Sequence, residues 1–426
     1  MDVDAVPLDA ADRDLLLRLL SLPTAGPLET GGGPPPRVRE AQEEYARAAA
    51  PIGFRTVRHA PPRPAELDRP DVPAPVLEAL GVPGFLVDQP SLVLRLGPAL
   101  PVARTVMFNV HLDTVAGGQP VGFDGERFLG RGAIDAKGPA VALLAGLRTA
   151  RALRPAIGRD VGVLIQAVAG EEGGAMGVLG TRPLVERGYV GRLNVFCEPT
   201  GVRFLPRSTA AATARIVVDG EHAVDDRPAA GHNATVLLGF LAQHLARALD
   251  PAPVCVAGLH TGTRHNQVYG HGSLLLNLPY ATAAEGHRLE HALADALDDG
   301  LTAFASAFGG TGLFARTARE ARDVTRLEWR KRGLPVLDDR DAWGHTLLRD
   351  RARIPPWPAD EPAFTCDAIW MARVRDACTV VLGPGDLAAN HAHAEGEFAR
   401  AGELAGFAAA VARLMIAFTD DRIGRA

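Results

Sequence analysis

Four short runs of almost unbroken apolar residues constrain this chain more than any other feature. TVMFNV (105–110), VGVLIQAVAG (161–170), LNVF (193–196) and TVVLGPGD (379–386) read as buried strands. A helix is predicted over 137–152, between the first two. Strand, helix and strand joined by short loops describe an α/β sheet with helices on its faces. Upstream, the spacing predicts helices near 9–20 and 37–50, a GGGPPP loop at 31–36, a Pro-studded stretch at 60–83 and an alternating strand at 91–97.

At about residue 210 the pattern changes. ATARIVVDG alternates, 233–249 is helical, and PVCVAGL and SLLLNLPY are two more strands; a helix follows at 285–308 and a strand is placed at 311–318. The order β-α-β-β-α-β is the ferredoxin-like signature. The chain then returns to α/β character, with a long amphipathic helix at 395–418. The simplest architecture is a discontinuous catalytic domain, residues 1–208 and 323–426, with an α+β ferredoxin-like domain, residues 209–322, inserted into it. The segment 325–362, rich in Arg, Asp and Trp, takes no assignment.

Composition acts by exclusion. A net charge of -5 argues against a broad nucleic-acid-binding face. Of the 45 Lys plus Arg only Lys137 and Lys331 are lysine, so arginine abundance says little about anionic ligands. The four cysteines are scattered without a CxxC pair, which argues against a disulfide framework or zinc knuckle and fits a reducing cytosol. The acidic start is unlike a secretory signal, and no apolar window is read as transmembrane in length. The expectation is a soluble, cytoplasmic protein with no membrane or nucleic-acid partner.

Metal-type ligands cluster where the apolar runs end. The first run leads into His111 and Asp113, a loop before the 137–152 helix holds Asp135, GEEGG supplies Glu171 and Glu172, CEPTG supplies Glu198, and NHAHAEGEF supplies His391 and His393. In an open α/β sheet, ligands bind beyond the carboxyl ends of strands. Singly, Asp135 reads equally well as a helix cap and the Glu pair as a solvated turn; their convergence is the signal. Two His, one bridging Asp and two Glu would satisfy two zinc ions and a bridging water, leaving one carboxylate to move the proton. Asp113 is placed to hold the second imidazole nitrogen of His111.

HLDTV, GRGAIDAKG, GEEGG, CEPTG and the GPGD stretch with its H-x-x-x-E unit resemble, in order and spacing, the M20 metallopeptidase family of acetylornithine deacetylases, succinyl-diaminopimelate desuccinylases, aminoacylases and glutamate carboxypeptidases. The resemblance implies a zinc-dependent exopeptidase-like catalytic domain, an inserted lid and dimerisation domain, and a homodimer. It implies two Zn2+, with Co2+ or Mn2+ as substitutes: His111 and Glu198 on one, Glu172 and His393 on the other, and Asp135 bridging. Glu171 would be the general base and acid, and Asp113 the partner of His111. His393 is preferred to His391 because Glu397 follows it by four residues. Asp135–Ala136 is the candidate for a cis peptide, and Lys137 belongs to the Asp-x-Lys-Gly unit typical of the family.

The inserted domain departs from that pattern. Gly220, Pro228, Asn233 and Ala234 fall in register, but Val224 occupies the slot of a histidine that steadies the oxyanion in relatives. His222 is the candidate substitute and His232 a weaker one. Asn266 matches a family asparagine near the scissile carbonyl, whereas Asn277 and Pro279 replace a D-x-R pair. The function expected is hydrolysis of an N-acyl amino acid or small peptide-like amide. The alternatives are a specialised biosynthetic hydrolase, acyltransferase or condensing enzyme on the same metals, or a binding protein that retains metal without turnover.

Overall fold

The apolar runs become the middle of one sheet. In the computed structural model, which describes residues 3–423, the chain opens with α1 (Ala10–Ser21), α2 (Val38–Ala49), β1 (Phe54–Ala60), β2 (Ser91–Leu96) and β3 (Thr105–His111). It continues through α3 (Lys137–Leu153), β4 (Gly162–Val168) and β5 (Leu193–Phe196). Next come β6 (Ala210–Asp219), α4 (Ala234–Ala248), β7 (Cys255–His260), β8 (His271–Tyr280), α5 (Ala283–Phe308), α6 (Ala315–Val324) and β9 (Thr325–Lys331). It ends with α7 (Ala342–Thr346), β10 (Cys378–Val381) and α8 (Ala401–Ile423). Two units result, one from the chain up to Ser208 together with the part from Leu337 onward, the other from Thr209–Val336.

The first unit holds a six-stranded sheet in the order β1-β2-β4-β3-β5-β10. Four strands, β4, β3, β5 and β10, run parallel to one another, with Val106 opposite both Val163 and Leu193, and Val380 opposite Val195, while β2 pairs antiparallel with β4. β3 and β4 are buried at every position, which is why they show apolar runs rather than alternation. β1, not foreseen in the sequence, pairs antiparallel with β2 at the edge; its FRTVRHA is too polar to stand out. Helices α3 and α8 pack against each other, and Gly146 permits it: a Cβ there would lie 2.5 Å from the Ala408 carbonyl oxygen.

α8 corrects the expectation that no segment reaches transmembrane length. It is long and apolar enough to cross a membrane, yet most of it is buried. Leu404, Phe407, Val411, Leu414 and Phe418 are fully buried in the core, each contributing roughly 1.5–3 kcal/mol.

The second unit holds a four-stranded antiparallel sheet in the order β7-β8-β6-β9, with α4 and α5 packed on it. The last strand is not at 311–318. That region enters α6, whose Thr317, Ala318 and Ala321 face inward, and the strand is Thr325–Lys331, paired with β6 from Thr325 opposite Val218. The unit therefore runs to Val336 rather than 322. The remainder of the unassigned segment belongs to the first unit, where Asp339 accepts a hydrogen bond from the Thr379 N–H (2.8 Å) on edge strand β10.

Candidate metal centre

β3 delivers His111 to the end of the sheet with its ring buried. Its Nδ1 lies 3.0 Å from the main-chain carbonyl oxygen of Asp113, so this nitrogen carries a proton and Nε2 is the one turned toward the acidic cluster. Nε2 faces Asp135 Oδ1 at 2.8 Å and Glu198 Oε1 at 3.7 Å. The other Asp135 oxygen, Oδ2, is 2.9 Å from His393 Nε2, which is 3.1 Å from Glu172 Oε1. Each oxygen of one carboxylate thus meets a different imidazole, and each imidazole has one further carboxylate. Potential ligand atoms of His111, Asp135 and Glu198 lie within 4.8 Å of one another, as do those of Asp135, Glu172 and His393, and those of His111, Glu171 and Glu172. His391 joins no such group among the described residues.

Neighbouring loops hold these side chains in place. The Asp113 carboxylate was expected on His111, but it lies 3.8 Å away. Its Oδ2 instead accepts the Gly170 and Glu172 N–H groups at 3.0 and 3.1 Å, tying down the loop that carries Glu171 and Glu172. Glu397 does more than mark a register. Its Oε1 accepts from the Ile134 and Asp135 N–H groups (3.1 and 3.3 Å) and its Oε2 from Arg131 Nη1 (2.6 Å). The Asp135–Ala136 peptide is cis. Lys137 is buried and its Nζ donates to the Leu22 carbonyl at 3.0 Å, a reach that suits a slim ammonium better than a guanidinium fork. Asp367 is a further acidic side chain in this region. It is buried, accepts from the Thr181 hydroxyl at 2.6 Å, and lies where any side chain on Gly177 would collide with it.

The charges are out of balance. Burial raises the Glu171 carboxyl well above its usual range, and the nearby charges of Asp367 and Glu172 add to this. Burial pushes Glu172 up to about 7 despite the opposing pull of His393, and raises Glu198 against the pull of His111. Burial would lower His111, but Glu198 and Asp135 outweigh it and raise it well above 6.5; the neighbouring Asp135 and Glu172 carboxylates push His393 up to about 10. Carboxylates crowded this closely resist ionising together. Glu172 Oε1, although near His393, is buried and accepts no hydrogen bond. A donor set of oxygens and imidazole nitrogens with surplus negative charge fits divalent cations.

Asn266 and His222 belong to the inserted unit, where both are exposed. His222 Nδ1 accepts the Gly270 N–H at 3.1 Å, its Nε2 is 3.0 Å from His271 Nδ1, and His271 Nε2 is 2.7 Å from Asp219 Oδ1. His232 is buried between the Glu221 N–H (2.9 Å) and Glu320 (3.0 Å), a structural post. Val224 is 58% exposed. In the first unit a cavity of about 480 Å3 between α1, α2 and α3 lies away from the ligand cluster. Its Arg148 and Arg47 are already paired with Asp12 and Glu44.

Comparison with known proteins shows the family and the fold. A family model described as Peptidase family M20/M25/M40 matches residues 107–417. A protein of Aeropyrum pernix, provisionally named a LysW-lysine/LysW-ornithine hydrolase, is 38% identical over 133 residues, which span 30% of this chain and 35% of that relative. An M20 family metallo-carboxypeptidase from Sulfolobus solfataricus superposes with a TM-score of 0.68 at 12% identity, covering 96% of this chain and 99% of that one. A tripeptidase from Staphylococcus aureus does so with a TM-score of 0.67 at 14% identity, covering 97% and 99%.

Proposed function

Because the chain belongs to peptidase family M20/M25/M40, a family of metal-dependent hydrolases, we propose that it cleaves the amide bond of an N-acyl amino acid or a small peptide-like substrate at a binuclear zinc centre. His111 and Glu198 would hold one ion, Glu172 and His393 the other, and Asp135 both. The observation that carries this reading is the Asp135 carboxylate, whose two oxygens lie 2.8 and 2.9 Å from two different imidazoles. When bound, the ions would polarise the scissile carbonyl and acidify the attacking water.

The chain's own residues manage the proton. Glu171 sits beside the ligands without being needed as one, and its raised affinity for protons suits a group that takes one from water and returns it to the departing amine. Asp113 steadies the loop that presents it. Glu397 steadies the Asp135 loop.

The test is zinc content measured together with turnover of a panel of acyl amino acids and dipeptides. Full zinc occupancy with hydrolysis of at least one class is expected; full occupancy with none would overturn the reading. A narrower substrate, the amide of a lysine or ornithine conjugate, draws support from the name of the Aeropyrum pernix relative. N-acyl-lysine and N-acyl-ornithine therefore belong in the panel, and a preference of tenfold or more for them would favour it.

A further inference from the structure

We propose that Asp339, His345 and Cys378 form a separate cation site, structural rather than catalytic, suited to a borderline-soft divalent metal such as zinc. Potential ligand atoms of these three side chains lie within 4.8 Å of one another. They supply one carboxylate oxygen, one imidazole nitrogen and one sulfur. Thiolate with imidazole selects zinc and its neighbours over magnesium or calcium. The catalytic cluster, by contrast, offers only oxygen and nitrogen.

The site lies at the opposite end of the sheet from the catalytic cluster. Cys378 is the first residue of β10, whereas His111 closes β3 and Glu172 and Glu198 follow the last residues of β4 and β5. Its sulfur is buried, and Gly344 in α7 makes room for it: a Cβ there would fall 2.2 Å from Sγ. Asp339 approaches from the preceding loop. Its Oδ1 is 3.1 Å from His345 Nε2 and accepts the Asp341 N–H at 3.0 Å; its Oδ2 accepts the Thr379 N–H at 2.8 Å. The Cys378 thiol also hydrogen-bonds to this carboxylate, a contact that a cation bound between them would replace.

The Arg192 guanidinium, whose charge reaches Cys378, is engaged elsewhere. Arg192 Nη2 is paired with Asp341 at 2.8 Å, and its guanidinium stacks 4.0 Å from the Trp343 ring. The His345 side chain is 24% exposed, leaving a route for solvent to a fourth coordination position. On binding, the Cys378 thiol would release one proton to solvent and coordinate as thiolate, with the neutral imidazole and the carboxylate completing the protein ligands. A cation there would pin the 339–345 segment across β10, the edge strand of the sheet.

Cobalt(II) titration of the chelator-stripped, full-length protein tests this. A thiolate-to-cobalt charge-transfer absorption in the near ultraviolet is expected in the parent and in His393→Ala, whose catalytic cluster is impaired. It should vanish in Cys378→Ser, and His345→Ala, which alters a partly exposed side chain, should weaken cobalt binding at this site at least tenfold. Absence of the band in the parent would overturn the proposal. So would its persistence in Cys378→Ser, which would place the sulfur at Cys197, Cys255 or Cys366, and so would unchanged cobalt affinity in His345→Ala.

Discussion

Two histidine–carboxylate assemblies in this protein look alike on paper and differ in physics. In the first unit His111, His393, Asp135, Glu172 and Glu198 crowd together at the end of a buried sheet, with more carboxylates than their imidazoles can neutralise. In the inserted unit His222, His271 and Asp219 form an exposed chain in which each contact has one donor and one acceptor. The first assembly is unsatisfied and the second is complete. Unsatisfied charge that the fold nevertheless holds in place is the better indicator of a ligand than histidine content.

The sharpest way to break the comparison is to empty the first assembly. Asp135→Ala should remove both ions and lower kcat/KM on the order of a thousandfold or more; a loss below tenfold would dissolve the distinction. Glu171→Gln should retain metal while kcat falls roughly 10²–10⁴-fold, and a variant equally active would refute its role in proton transfer. Glu397→Gln keeps the shape but weakens the hold on the Asp135 loop, so metal affinity should drop about 10–100-fold, read by competition with a chelator. His222→Ala should change kcat/KM less than tenfold, because both ring nitrogens are already engaged inside the inserted unit. A hundredfold loss would show that His222 turns toward substrate.

The smallest effect is on acid stability. The Arg319 and Arg316 guanidiniums and His232 hold Glu320 down at about 2. A depressed carboxylate contributes stability that is present above its ordinary value of 4.5 and is lost as pH falls through about 2. Glu320→Gln should therefore lower the melting temperature slightly at neutral pH and not at pH 2. An equal shift at both pH values would show that the pair is neutral to stability.

Much of the first assembly was legible because each candidate ligand sits beside a strongly patterned strand or helix. His111 closes a fully buried strand, and the Asp135 loop opens a helix whose pattern is unambiguous. What lay beyond the pattern were contacts across long separations. That Asp113 serves the Gly170–Glu172 backbone rather than the imidazole, and that Glu397 returns to Asp135, depends on loops about 60 and 260 residues apart meeting in space. The misplaced strand at 311–318 has a local cause. TGLFARTA alternates well enough to read as extended, but Ala315–Val324 buries one helical face, and tertiary packing decided between the two. The 339–345 segment escaped assignment because it covers an edge through polar side chains, which carry no periodicity.

The central claim is that one carboxylate serves two ions. It is tested most directly by counting zinc per chain, after exhaustive dialysis, in Cys378→Ser and in Cys378→Ser combined with Asp135→Ala, both checked for an unchanged circular dichroism spectrum. The account predicts two zinc ions per chain in the first protein and the loss of both in the second. A single ion in the first, or one firmly retained in the second, would contradict it.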